Sequence, residues 1–314
     1  MGGFAARGEH GLVGQPFVLY GLRGIGKTVL LTQFRHDAAA RGWWVVQVET
    51  GTNQSLRQMV GEGLYEPLSA ISRPSAGQRL LSALKTALSF KASYDSTGTW
   101  SFGLDLSEVS GGDANSGVLD TDLKRIVKDV ALAAGEEHVG LALPIDEAQD
   151  LSNEELTTLA VVAQAAAEDN WPVLFALAGL PSLPQVLAQA KSYTERYQHI
   201  PIEKLSWGDA RAALELPAVQ EQVSWDPDAL TFVVEQSGRY PYFIQQFGEE
   251  AWKEAHCTKI QLEDARVGVA AGQHRLDDGL FRSRWDRTTT AEKRSLQAMC
   301  SNDDSSVGSG GVAA

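Results

Sequence analysis

The sequence predicts an α/β architecture, a parallel sheet flanked by helices, followed by a smaller all-helical domain. Three observations carry that reading. In "FVLYGLRGIGKTVLL" (17–31) an apolar run stops at a glycine loop and restarts as a helix, and "WWVVQVET" (43–50) follows as a second apolar, β-branched strand. Strand, helix and strand in so short a span form a βαβ unit, which implies a right-handed crossover and parallel pairing. Two more apolar strands, "VGLALPID" (139–146) and "WPVLFALAG" (171–179), bracket the helical pattern "LSNEELTTLAVVAQAAAE". From "LSWGDARAALEL" (205–216) onward only helical periodicity remains.

Taken in order, "PFVLYG" is a short buried strand, and "KTVLLTQFRHDAAARG" is a helix closed by Gly42 as its C′ glycine. "NQSLRQMVGEGLYEPLSAI" and "SAGQRLLSALKTALSF" read as helices, the second with Ser75 and Gln78 as a capping box. In "FKASYDSTGTWSFGLDL" apolar residues alternate (Phe90, Ala92, Tyr94, then Trp100, Phe102, Leu104, Leu106) around "DSTG", the pattern of a hairpin. "SGGDANSG" is a break, and "DTDLKRIVKDVALAAG" is a helix leading to the third strand. The helix after that strand carries Ser152 and Glu155 as capping box, and "YQHIPIEKL" is a fifth strand. Asp226 and Pro227 are placed as N-cap and N1 of a later helix. The boundaries expected are an α/β domain over 1–204, a helical domain over 205–288, and a final piece over 289–314. Its last residues, "SNDDSSVGSGGVAA", are small and polar and read as disordered.

Composition narrows the function classes. With 43% apolar and 21% charged residues over 314 positions the chain has the make-up of an ordinary globular protein. Its apolar runs fall short of the roughly 20 residues a bilayer needs and no basic leader precedes an apolar core, so a cytoplasmic location is expected. Two cysteines, Cys257 and Cys300, are too few for a disulfide framework, and the six histidines lack the spacing of a transition-metal site. A net charge of −13 argues against broad non-specific nucleic-acid binding.

Two motifs carry chemistry. "GLRGIGKT" matches G-x-x-x-x-G-K-T with Gly21, Gly26, Lys27 and Thr28 in the defining positions, between a strand and a helix as a phosphate-binding loop requires. The binding segment predicted is Gly21, Leu22, Arg23, Gly24, Ile25, Gly26, Lys27, Thr28 and Val29. There backbone N–H groups face phosphates, Lys27 reaches the β and γ oxygens of ATP, and the Thr28 hydroxyl joins the shell of a Mg²⁺ ion. "LALPIDEAQD" then delivers Asp146 to the edge of the sheet, where it can hold the Mg²⁺, with Glu147 beside it to orient and deprotonate a water. Pro144 removes a ladder donor from that strand, so a local irregularity is expected there. Two other positions stay open. Arg196, ahead of the last strand, could reach a neighbouring subunit's γ-phosphate, or it is a solvated cation at a helix end. Pro241, in "GRYPYFIQ", could contact the adenine, or it belongs to a packing turn.

"GLRGIGKTVLL", "IDEAQDL", "AGLPSLP", "SYTERY" and "GRYPYFIQ" together resemble bacterial AAA+ ATPases of the origin-recognition type, a group also similar to the signal-transducing STAND NTPases. The resemblance covers nearly the whole chain. It implies a sheet of order 5-1-4-3-2, Asp146 on magnesium, Glu147 as catalytic base, Arg196 as a candidate arginine finger, and a helical lid over the nucleotide. The sequence departs from that pattern in three places. Relatives begin with a "GRE"-like segment that helps hold the adenine, and this sequence starts too late to contain one. The strand that should end in a polar γ-phosphate sensor reads "FALAGLPSL", with Ser182 the one polar residue nearby. "FRSRWDRTTTAEKRSLQAM" resembles the start of a winged-helix domain, but the sequence ends soon after entering it, which puts DNA binding in doubt. The function expected is a Mg²⁺-dependent ATPase that couples nucleotide state to a partner, as a homo-oligomer or with another protein. The alternatives are a nucleotide-gated switch with little turnover, a DNA-remodelling module, and a degenerate fragment.

Overall fold

The computed structural model describes residues 14–50, 54–71, 77–92 and 114–301. The chain divides into two units, Met1–Glu203 and Lys204–Ala314. In the first, β1 (Phe17–Tyr20) is followed by α1 (Lys27–Ala40), β2 (Trp44–Val45), β3 (Val48–Glu49), α2 (Leu56–Ile71), α3 (Gln78–Ala92) and α4 (Leu119–Glu136). Then come β4 (Leu141–Asp146), α5 (Asn153–Glu168), β5 (Val173–Gly179), α6 (Leu183–Ala190) and β6 (Gln198–Pro201). All pairings are parallel, and the strands lie in the order β2/β3, β4, β5, β1, β6. With β2 and β3 counted as one interrupted edge strand, this is the 5-1-4-3-2 order read from the other edge.

Side-chain alternation explains why helices cover both faces. On one face the strands present Phe17, Leu19, Ala142, Leu174, Ala176 and Ala178, all buried with Leu31, Phe34 and Ala38 of α1. Phe17 meets Phe34 edge to face at 5.3 Å. The residues between them, Val18, Leu143, Ile145, Phe175 and Leu177, point to the larger core built with α2 to α6. The helix that opens at the glycine loop is therefore fixed across the middle of the sheet by apolar contact. At the start of α5 the Ser152–Glu155 capping box forms as the sequence indicates.

Pro144 produces the expected irregularity, but in its neighbour. Strand β4 itself runs unbroken, with Pro144 in register with Ala176 of β5. On the other side, the carbonyls of Gly140 and Ala142 accept from the N–H groups of Trp44 and Val46. Alternation turns Pro144 toward that same edge, where it has no N–H to give, and the edge strand splits between Val45 and Val48.

One expectation is corrected. Phe90 and Ala92, read as the first positions of a hairpin, form the last turn of α3. Phe90 continues the helical spacing of Leu80, Ala83, Leu84 and Ala87, and all five side chains are buried. A two-residue period and the end of a 3.6-residue period coincide over so few residues, and burial decided for the helix. The rest of the proposed hairpin, Ser75 of the α3 capping box, and nearly all of the proposed tail (302–314) lie outside the described residues.

The second unit contains α7 (Trp207–Gln220), β7 (Ser224–Trp225), α8 (Pro227–Gln236), α9 (Pro241–Glu254), β8 (Lys259–Ile260) and α10 (Leu262–Arg275). A π-helical segment (Leu276–Phe281), α11 (Arg282–Arg287) and α12 (Thr290–Ser301) follow. Leu214, Leu230, Val233, Ile244 and Phe247 lie in its core. The sequence indicates only helices here, yet β7 and β8 pair in parallel; two residues each are too few to show a period. Asp226 caps α8 by accepting from the Asp228 N–H, with Pro227 at N1. Among the described residues no helix is long and apolar enough to cross a membrane.

Candidate functional site

β1 is buried for most of its length and ends where the chain must turn into α1. Two glycines make that turn: Gly24 and Gly26 have φ of 79° and 99°, left-handed values that a side chain would strain. Gly26 is also the N-cap of α1, and its carbonyl accepts from Leu30. The N–H groups of the first turn, at Lys27, Thr28 and Val29, have by helix geometry no acceptor within the helix, and the helix dipole favours an anion beside them. Ile25 is buried and anchors the loop, whereas Leu22, Arg23 and Gly24 are exposed. Thr28 and Val29 face solvent, Val29 with 71% of its surface open.

Lys27 is the unusual member. It is buried, and its Nζ donates to the Gly21 and Leu22 carbonyls, each at 3.0 Å. Burial holds its pKa below the ordinary lysine value; Glu147 and Asp146 oppose that shift, and Arg23 adds to it. The two acids at the end of β4 are thus within electrostatic reach of the loop lysine, as the motifs require. Among the described residues this buried ammonium hydrogen-bonds to neutral carbonyls alone, which matches it to an incoming anion.

The acids are held by their own backbone. β4 is buried up to Ile145, and Asp146 and Glu147 emerge half-buried at its carboxyl end. Asp146 Oδ1 accepts from the Glu147 N–H at 2.8 Å. Glu147 has φ 47° and ψ 40°, a left-handed conformation that costs a non-glycine residue energy and clusters at functional positions. Thr50, one residue beyond β3, donates its hydroxyl toward the carbonyls of Asp146 and Glu147, at 2.8 and 2.6 Å. Gln149 donates to Glu147 Oε2 at 2.8 Å. Sequence reasoning missed both roles. A polar residue at the tip of an otherwise apolar strand was the one signal for Thr50, and nothing in "IDEAQD" ranked Gln149 above its neighbours.

The remaining predicted positions lie elsewhere. Arg196 is exposed at the end of a short 3₁₀ turn (Ser192–Arg196) before β6, and its carbonyl accepts from the Gln15 amide. Pro241 belongs to the second unit, where it opens α9 at N1. The neighbouring Arg239, at φ 61°, has its guanidinium bonded to the Leu205 carbonyl and lying over the Trp207 ring. Ser182, the polar residue past β5, is exposed and stands at the N-cap of α6 without a capping bond.

As a donor set the first unit fits a Mg²⁺-nucleotide: helix N–H groups and Lys27 for phosphate oxygens, Thr28 and Asp146 as hard oxygen ligands for the cation. That arrangement is the one found in phosphate-loop nucleotide-binding proteins as a class. Within the class, the chain belongs to the AAA ATPase domain family, whose model matches residues 5–187. Its fold is similar to the Walker-type ATPase PABY2304 of Pyrococcus abyssi, at 16% identity and TM-score 0.54, covering 90% of this chain and 72% of that one. It is also similar to the ORC2 protein of Aeropyrum pernix in its ADPNP–ADP complexes, at 15% identity and TM-score 0.54, covering 99% and 75%. The RuvB Holliday junction branch migration motor of Thermotoga maritima matches at 12% identity and TM-score 0.50, covering 85% and 65%. No curated protein sequence matches the chain. The parallel-sheet fold expected from the motifs is thus the fold observed, and the family match is to the AAA ATPase domain.

Proposed function

We propose that the chain is a Mg²⁺-dependent ATPase in which Glu147 is the general base and nucleotide state is passed through the helical second unit to a partner. The observation that carries this reading is the convergence on one phosphate loop of a buried lysine and two acids, one of them in a strained backbone conformation. Lys27, with the N–H groups of the first turn of α1, would hold the β and γ phosphates, drawing its Nζ off the loop carbonyls. Thr28 and Asp146 would hold Mg²⁺, which when bound neutralises phosphate charge and orients the chain for attack. Glu147 would accept the proton of the attacking water. In this reading Arg196 acts on the nucleotide of a neighbouring copy.

Glu147→Gln tests the proposal. The substitution keeps the side chain's size but removes the base, so ATP affinity should remain while turnover falls by about 10² or more. Steady-state ATP hydrolysis measured beside a nucleotide titration checks both halves. Unchanged turnover would exclude Glu147 as base, and a wild-type protein that releases no more than one phosphate per bound nucleotide would make it a switch.

A further inference from the structure

The sheet strand that faces the loop, β5, ends in Gly179 with no polar side chain to offer. What fills the space beside it is a side chain from another element. The Gln149 amide oxygen accepts from the Leu180 N–H at 2.8 Å, while its amide nitrogen donates to Glu147 Oε2 at 2.8 Å and to Asp150 Oδ1 at 3.1 Å. The orientation of this amide is determined by its partners, since a backbone N–H requires the oxygen and two carboxylates require the nitrogen. A Cβ at Gly179 would sit 2.5 Å from Gln149 Oε1, so the glycine is what admits the amide. The Gly179 carbonyl in turn accepts from the Gly21 N–H at 3.2 Å, the first residue of the phosphate loop. An unbroken run of hydrogen bonds and peptide units therefore leads from the phosphate loop through the end of β5 and Gln149 to the carboxylate of Glu147.

We infer that Gln149 is a positioning residue for Glu147, tying the carboxylate to the end of β5 and so to the loop that holds the phosphates. The inference rests on the reading of Glu147 as base given above. The backbone of Glu147 is already fixed, its N–H on Asp146 Oδ1 and its carbonyl under the Thr50 hydroxyl. Its side chain would still rotate about three bonds without a further partner. Among the described residues Gln149 is the one that hydrogen-bonds to that carboxylate, and it engages Oε2 alone, leaving Oε1 to receive a water proton. A carboxylate held in this way loses no orientational freedom when the reaction begins.

Two substitutions separate this role from simple packing. Gln149→Ala removes the donor and the acceptor together. Gln149→Glu keeps the volume and the oxygen that accepts from Leu180, but places a carboxylate oxygen against Glu147 Oε2 where an N–H had been. Both should lower kcat by about tenfold or more, with ATP affinity within about twofold of wild type. Hydrogen exchange at the Leu180 amide in nucleotide-free protein gives a readout apart from activity: exchange should quicken in Gln149→Ala and stay protected in Gln149→Glu. Gly179→Ala, whose Cβ would press on Leu183 as well as on Gln149, should also lower turnover and quicken exchange at Leu180. Wild-type kcat in either Gln149 variant, beside an inactive Glu147→Gln protein, overturns the inference and leaves the base assignment standing. A parallel loss of ATP affinity and of protection across the whole unit would reduce Gln149 to a structural residue. If Glu147→Gln itself turns over normally, the base assignment fails and this inference fails with it.

Discussion

At the scale of single residues, the phosphate loop shows how burial and charge are set against each other. Lys27 is desolvated and its pKa is lowered for that reason, yet it stays in place because two loop carbonyls and two nearby acids offset part of the penalty. Lys27→Ala should therefore be tolerated in the fold, since removing a buried cation removes its desolvation cost along with its bonds. It should not be tolerated in binding: the loss of charge-assisted bonds to phosphate predicts at least a tenfold weaker affinity for ATP. Isothermal titration with ATP, beside a thermal melt of the same variant, separates the two effects. The residue scale is also where the sequence was least informative. Lys27, Asp146 and Glu147 are legible because their motif spacing is fixed by the chemistry, whereas Thr50 and Gln149 act through bonds to residues 97 and 31 positions away.

Elements are set by local signals wherever a cap or a period is long enough to read. The α5 capping box and the Asp226–Pro227 start of α8 were visible in the sequence and are observed. What was not visible is the partner that strengthens the second of these. Lys259 of β8 bonds Asp226 Oδ2 at 2.8 Å, and the Asp226 N–H donates to the Ile260 carbonyl, so one residue joins the cap of α8 to the two-stranded sheet. The bond from Lys259, then that from the Asp228 N–H, holds the Asp226 carboxyl below its ordinary pKa. A carboxyl depressed in the folded state contributes stability that is complete above its unfolded pKa and is lost as pH falls through the folded value. Asp226→Asn can still cap the helix but cannot titrate. Melts of the two proteins should differ at neutral pH, with the wild type the more stable, and converge below about pH 4. A difference that persists in strong acid would show that the charge is not its source.

At the scale of the whole molecule, the proposed ATPase reading gives the exposed Arg196 a role outside its own copy. With Arg196 on the solvent side of the turn before an edge strand, the reading above has it act on a neighbouring copy. Mixing Arg196→Ala protein with Lys27→Ala protein should then restore part of the ATP turnover that each lacks. An arginine finger contributes about 10³-fold to rate, so rescue of even a small fraction of sites would be measurable. Turnover that is independent of protein concentration, together with no rescue in the mixture, would return Arg196 to a solvated cation.

The sequence by itself determined the class of fold, the strand and helix that flank the glycine loop, the acids at the end of β4 and the starts of α5 and α8. Each depends on neighbours within a few positions, where apolar period, capping chemistry and motif spacing act directly. Tertiary structure decided the rest. It extended α3 through Phe90 because burial outweighed a short alternation, and split the edge strand opposite Pro144, whose missing donor is felt only across the sheet. It also brought Gln149 under Gly179 and Thr50 beneath the acids. Hydrogen bonds between distant parts of the chain depend on which strand ends the parallel sheet sets side by side, and no local period or cap specifies those partners.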